Sequence, residues 1–420
     1  MNKVILRNIL SLAGIQGFSY LLPLLTLPYL VRVLGPAGYG MLGYVLAVMQ
    51  YGCLITDYGF NLSATRQVAV HRDDKNKNSQ LYWNILSAKM MLMSISFLML
   101  SLFSVFDKNL SNNYLVLMSA FGLVVGNVLF PVWLFQGKEN MGWIAVANIV
   151  SRFTSVPLIF IFVKSIHDVW IAAFITGTTS VIAGLIGLIF IYKNKWIHYE
   201  KPTLGNIIFQ LKEGWHIFIS SAAINLYTAS ITVILGMVSG PVAVGYFVAA
   251  DKIRLAVQGL IMPVAQALYP RINSLMSRDE NAAFKMIRKM LVLQGGGAML
   301  MSIALFTLSG EIIIRLYGIT YTESIKAMHI LAWLPGIIGV SNVFGYQTLL
   351  VLGKKQVFSR IVITGGISSL LMILPLIHLW GINGAAATII ITELLVNFMM
   401  LAYIIQKRIP IFPFMNNPAN

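Results

Sequence analysis

Acidic residues are scarce in this chain, 14 Asp and Glu against 30 Lys and Arg in 420 residues, and charged residues of both signs make up only 10%. So little charge cannot clothe a soluble body of this size, and 58% hydrophobic residues with a mean hydropathy of +0.79 point the same way. A single cysteine, Cys53, rules out a disulfide framework. The histidines at 71, 167, 198, 216, 329 and 378 are scattered without metal spacing, and no cysteine pair joins them. There is no Gly-x-Ser-x-Gly nucleophile elbow. Gly137-Lys138 and Gly353-Lys354 lack the preceding glycine and following hydroxyl of a phosphate-binding loop. These absences argue against an enzyme, and no cofactor or metal is expected.

What the chain has instead is long apolar runs. A spanning helix needs about 20 mostly apolar residues, and twelve stretches qualify: 11–31, 41–60, 83–106, 114–135, 143–163, 170–192, 215–237, 244–268, 286–309, 326–351, 357–378 and 384–406. Trp83, Trp133, Trp143, Trp170, Trp215 and Trp380 fall at or near their ends, where an indole prefers the headgroup level; Trp333 does not. The first stretch, with Pro23 and Pro28, lacks a small-residue cleavage pattern and reads as span 1. With the N-terminus placed inside, 20 Lys and Arg fall in inside segments. Only Arg32, Lys108, Lys164, Arg315 and Lys326 fall outside. By the positive-inside rule both termini are cytoplasmic, in an inner-membrane topology. The +16 net charge is thereby accounted for without nucleic acid.

An internal repeat sets the architecture. Gly35-Pro36-x-x-x-Gly40 follows span 1 and Gly240-Pro241-x-x-x-Gly245 follows span 7, 205 residues later; the same offset carries Arg66 onto Arg271. Gly137-Lys138-Glu139-Asn140 is echoed by Gly353-Lys354-Lys355-Gln356 at an offset of 216. Six spans per copy makes the copies parallel. The expected fold is therefore all-α: two six-helix lobes related by a pseudo-twofold along the membrane normal. The N-lobe is 1–192, the cytoplasmic linker 193–214, the C-lobe 215–406 and the cytoplasmic tail 407–420.

Such bundles place their substrate path between lobes, near the midplane. Lys89, Arg360 and Asp57 sit a few residues from cytoplasmic ends and are expected to snorkel. Arg152, Asp251, Lys252, Arg254 and Glu393 lie roughly seven to ten residues inside, about 10–15 Å deep, where a charge costs about 2.5–3.5 kcal/mol on the gentlest scale. Two readings stand. One is a local ion pair of Asp251 with Arg254, which share a helix face, with Arg152 neutralised by Glu393. The other is a watery cationic cavity formed by Arg152, Lys252 and Arg254, with Asp251 and Glu393 as candidates for ion coupling to protons or sodium. Span 7 adds a polar stripe at Ser221, Asn225, Thr228 and Thr232, and span 1 offers Gln16, Ser19 and Tyr20. Such stripes serve either as helix–helix glue or as the polar lining of a cavity. Gly122-x-x-x-Gly126 reads as a packing motif, and Gly295-Gly296-Gly297 as close packing or a kink.

Leu27-Pro28-Tyr29-Leu30-Val31-Arg32-Val33-Leu34-Gly35-Pro36-Ala37-Gly38-Tyr39-Gly40 resembles the signature that follows the first span of bacterial polysaccharide flippases. These are the O-antigen and capsule repeat-unit exporters of the multidrug/oligosaccharidyl-lipid/polysaccharide superfamily. The resemblance continues in Asp57-Tyr58-Gly59-Phe60 with Arg66, Gln136-Gly137-Lys138, Gly245-Tyr246 with Ala249 to Lys252, and Tyr269-Pro270-Arg271, covering nearly the whole chain in order. It implies a twelve-helix transporter that moves an undecaprenyl-pyrophosphate-linked oligosaccharide to the periplasmic leaflet by alternating access. Spans 1, 2, 7 and 8 would line a cationic cavity that takes in Lys252 and Arg254, with the prenyl tail left in membrane lipid. The polysaccharide polymerase and chain-length regulator are the partners it suggests. Three alternatives stand beside it. A peptidoglycan lipid-precursor flippase typically has two further spans, a multidrug antiporter favours acidic and aromatic pockets, and an O-antigen polymerase carries a large periplasmic loop.

Overall fold

The computed structural model describes residues 3–412, except for the side chains of 3–24, 220, 223–228, 262–267 and 270. Among the described residues the chain is helical apart from its connecting loops and has no strand. The first part comprises α1 (Lys3–Asp57), α2 (Phe60–Val70), α3 (Lys75–Phe106), α4 (Lys108–Asn112), α5 (Tyr114–Ala120), α6 (Gly122–Leu129), α7 (Val132–Gly137), α8 (Gly142–Phe162) and α9 (Val169–Lys193). There follow α10 (Leu204–Gly259), α11 (Met262–Met276), α12 (Glu280–Met290), α13 (Gly297–Tyr317), α14 (Glu323–Leu331), α15 (Leu334–Phe344), α16 (Lys355–Trp380) and α17 (Ile382–Gln406).

Ten helical segments among the described residues are long and apolar enough to cross a membrane, and they overlap ten of the twelve expected spans; the one expected at 244–268 is displaced, running from Ala229 to Gly259. The other two, 11–31 and 215–237, run through residues whose side chains lie outside the description. Outward faces are apolar, with Leu98, Val105, Val292, Leu371 and Leu379 all more than half exposed. A soluble protein does not carry apolar surface on that scale, and lipid does cover it. The chain is a multi-pass membrane protein.

Contacts divide it into two compact units, one holding Leu25–Gly245 and the other running from Tyr246 onward. This division falls inside α10, not in the 193–214 linker. Within Leu25–Gly245 the linker is pinned to the start of α3: Trp83 donates to the His198 carbonyl at 2.9 Å, and the Thr203 amide donates to Asn84 Oδ1 at 3.2 Å. The core of this unit is aromatic, built on Phe60, Tyr82, Trp133 and Phe135. Trp133 is 1% exposed and belongs to this core, not to a headgroup belt. The indole is drawn in because α7 lies under α2, which offers an apolar face through Ala64 and Val68. In the other unit Ile272, Phe284, Ile287, Phe344 and Met400 form the core. Arg288 closes that unit by donating to the carbonyls of Ile411 and Pro410 at 3.0 and 2.8 Å.

The sequence repeat reappears as backbone geometry. Gly35 (φ 62, ψ 177) and Gly240 (φ 79, ψ 174) break α1 and α10 in the same way, in a region essentially reserved for glycine. The two motifs also pack on each other. A Cβ on Gly40 would lie 1.8 Å from the Pro241 carbonyl oxygen, and one on Gly245 would lie 2.1 Å from that of Pro36. Each motif thus presents its glycine to the other's proline carbonyl. The Gly122-x-x-x-Gly126 expectation also holds, since a Cβ at either position would collide with the backbone of Gly177 or Ser180 on α9. The glycine triplet at 295–297 ends a π-helical segment, Leu291–Gly296, a recognised cause of kinks.

Candidate functional site

In the unit from Tyr246 onward, the charged residues of α10 occupy one helical turn. Arg254 and Asp251, three residues apart, face the same way, and the guanidinium Nε and a terminal nitrogen each meet Asp251 Oδ1 at 2.7 Å. The other terminal nitrogen donates to Gln258 Oε1. Arg254 is 8% exposed, so its charge sits where only protein groups satisfy it. Lys252, about 100° around the helix, is exposed. Glu393 on α17 is half-buried and interacts electrostatically with Arg254. Arg254 is thus hydrogen-bonded to one carboxylate and interacts electrostatically with a second. All three nitrogens of this guanidinium are committed to Asp251 and Gln258, so it would bind an oxyanion only by exchanging those bonds.

The remaining sequence candidates fall elsewhere. Arg152 is half-buried on α8, in the unit Leu25–Gly245, and has an interaction partner. The side chains of Gln16, Ser19, Asn225 and Thr228 lie outside the described residues. From the span 7 stripe, Ser221 lines a cavity of about 180 Å³ together with Gln50, Cys53, Asp57 and Asn61.

That cavity backs onto a charge site that sequence reasoning placed wrongly. Lys89 does not snorkel: it is 2% exposed, with Nζ 3.3 Å from Asp57 Oδ1 and donating to the Asn127 carbonyl at 3.1 Å. Asn61 donates to the same carboxylate oxygen at 3.2 Å, and Asn127 donates to the Cys53 carbonyl at 3.0 Å. Asp57 is 34% exposed. The error has a physical origin. The apolar stretch begins at 83, but α3 begins at Lys75, capped by Asp74, whose carboxylate accepts from the Lys77 amide at 3.0 Å. Lys89 is therefore fourteen residues, about 21 Å, into its helix. The missed signal was Asp74-x-x-Lys77 as a helix start. Arg360, by contrast, is exposed near the start of α16, as snorkelling requires.

Loop charges are tied more loosely. Arg72 makes a two-pronged pair with Glu139, at 2.5 and 2.9 Å, and this hydrogen bonding holds the Glu139 carboxyl below its ordinary range and raises the arginine. Lys138 donates to the Arg72 carbonyl at 2.8 Å and lies over Trp196, and its partial burial lowers its pKa.

Residues 5–276 match the family described as polysaccharide biosynthesis protein. The chain belongs to that family. Its relatives include two that bear the name "Putative O-antigen transporter". One, from Escherichia coli (strain K12), is 39% identical over 97% of this chain and 99% of its own length. The other, from Shigella dysenteriae, is 33% identical over 94% and 98%. Among solved structures, this polysaccharide biosynthesis protein is similar to the lipid II flippase MurJ in an inward closed conformation, with a TM-score of 0.75 and 14% identity over 94% of this chain and 87% of that one. It is also similar to an inward-facing multidrug resistance MATE family transporter of the MOP superfamily, with a TM-score of 0.70 and 14% identity over 96% and 100%. At these identities the likeness is one of fold, a MOP-type transporter fold.

Proposed function

We propose that this polysaccharide biosynthesis protein is a flippase that carries undecaprenyl-pyrophosphate-linked O-antigen or related repeat units from the cytoplasmic to the periplasmic leaflet of a bacterial inner membrane by alternating access. It is a transporter and not an enzyme. The observation that carries this reading is the 39% identity, along 97% of the chain, to a relative named as an O-antigen transporter. The MOP-type fold supports it, and Arg254 supplies a guanidinium that would grip a pyrophosphate in two places by exchanging its bonds to Asp251 and Gln258. In this reading Arg254, Lys252 and Arg152 provide the cationic cavity, and Gln16, Ser19, Asn225 and Thr228 meet sugar hydroxyls. Asp251 and Glu393 are the acids available for coupling to protons or sodium. The pseudo-symmetric lobes are 1–192 and 215–406, with both termini cytoplasmic, and the polymerase and chain-length regulator receive the product outside.

Deleting the gene in its host tests this reading. Surface polysaccharide should disappear while lipid-linked repeat units accumulate and stay inaccessible to a periplasmic glycosidase. Loss of polysaccharide with repeat units fully accessible outside would place the defect after translocation and refute the proposal.

A further inference from the structure

At one end of the unit Leu25–Gly245, where α2 finishes, α3 starts and the first turns of α10 pass, two hollows adjoin. The smaller, about 230 Å³, is lined by six side-chain amides, Gln67, Asn78, Gln80, Asn84, Asn206 and Gln210. The larger, about 510 Å³, shares Gln67 and His71 with it and adds Arg66 and Glu213. Neighbouring segments are crowded with cations, among them Arg72, Lys75 and Lys212, yet Lys77 is the one Lys or Arg in the smaller lining. An anionic ligand would call for more fixed positive charge than this. A neutral, hydroxyl-rich ligand calls for amides, which present a donor and an acceptor side by side.

The six amides form two tiers. Gln67 and Gln210 bond to each other in both directions, at 2.9 and 3.2 Å, and Gln210 is buried. Asn78 donates to the carbonyls of His71 and Arg72 at 2.9 and 3.1 Å, and Asn84 accepts from the Thr203 amide at 3.2 Å. Those four are held in place. Gln80 and Asn206 are exposed and half-buried, and neither has its side-chain hydrogen bonds committed to protein among the described residues. Phe209, 54% exposed, supplies an apolar ring in the same lining. A fixed amide floor, free amides at the rim and an open aromatic face together suit a pyranose, whose hydroxyls lie around its edge and whose C–H groups line one face.

We infer that this hollow is an oligosaccharide-binding site that reads the glycan of the cargo before translocation. The inference rests on the flippase reading, in which this end of the unit faces the cytoplasm, and it assigns sugar selectivity to Gln80, Asn206 and Phe209.

The test uses the full chain in proteoliposomes with two lipids, undecaprenyl pyrophosphate bearing the host's complete repeat unit and the same carrier bearing one sugar. In Gln80→Ala, Asn206→Ala and Phe209→Ala the ratio of full-unit to single-sugar transport should fall about threefold to tenfold each, the scale of one lost polar or stacking contact, and Phe209→Trp should preserve it. Unchanged ratios in all three alanine variants would overturn the site, as would an equal loss of both activities. A second measurement does not depend on transport. Free repeat-unit oligosaccharide, released from the host carrier by mild acid, should change the fluorescence of Phe209→Trp saturably, measured against a Phe209→Leu control. If the wild type moves neither lipid, the flippase reading falls and this titration decides the site alone: saturation supports it, and a flat response overturns it.

Discussion

Arg254 and Lys89 show how differently two buried cations are read from sequence. Arg254 was legible, because Asp251 stands three residues before it on one helix and the pair needs no tertiary information. Lys89 was not, because its partners come from α1 and α6, and only the folded chain brings Asp57 and the Asn127 carbonyl to it. Removing one member of a buried pair strands the other, so Asp57→Asn should destabilise the protein by about 3 kcal/mol, toward the low end for buried pairs since Asp57 is partly solvated. The double variant Asp57→Asn/Lys89→Met should regain most of that loss, and thermal unfolding in detergent measures both. A double variant as unstable as the single one would mean that the lysine contributes by packing. For Arg254, even Arg254→Lys should cut transport at least about tenfold, because an ammonium lacks the fork. Normal export by a well-expressed Arg254→Lys would remove the guanidinium from the site.

At the scale of elements, the repeat was visible as two short motifs, but its structural meaning was not. The spelling Gly-Pro-x-x-x-Gly does not say that the two copies pack face to face. It is the 1.8 and 2.1 Å clearances at Gly40 and Gly245 that say so. Gly40→Ala should therefore be damaging through backbone collision, costing about 1–3 kcal/mol or more. Gly35→Ala, with open space around it, should cost about 1–3 kcal/mol through conformational strain alone. Combining Gly40→Ala with Gly245→Ala should give a non-additive loss, because both act on one contact, and additive unfolding shifts would contradict the packing. The start of α3 allows a pH test. The Lys77 amide lowers the Asp74 carboxyl below its ordinary range, so the cap is fully present above that range and is lost as pH falls through the lowered value. Protection of the first amides of α3 against hydrogen exchange, taken relative to the intrinsic rate at each pH, should fall only in acid, and in Asp74→Asn that fall should vanish.

For the molecule as a whole, helical class and span positions follow from hydropathy alone, since lipid leaves a helix no alternative way to satisfy its backbone. What hydropathy does not register is polar helix that extends past the apolar core, as at 75–82 and 204–214, nor a tryptophan such as Trp133 drawn into a core. The glycan hollow lies in those polar turns and carries no motif, so it emerges only when α2, α3 and α10 are brought together. Orientation rests on the 20-to-5 distribution of Lys and Arg. Reporter fusions after Lys75, Lys201 and Lys407 should report cytoplasm, and those near Lys108 and Glu323 periplasm; a periplasmic signal at Lys201 would invert the assignment. The central claim is translocation itself, and its most direct test is reconstitution of the purified chain in vesicles whose lipid-linked repeat units carry a label on the glycan. The account predicts protein-dependent appearance of labelled glycan on the opposite leaflet, detected by an impermeant glycosidase and reduced at least about tenfold in Arg254→Lys. Appearance no faster than in protein-free vesicles, with proton and sodium gradients each imposed, would contradict it.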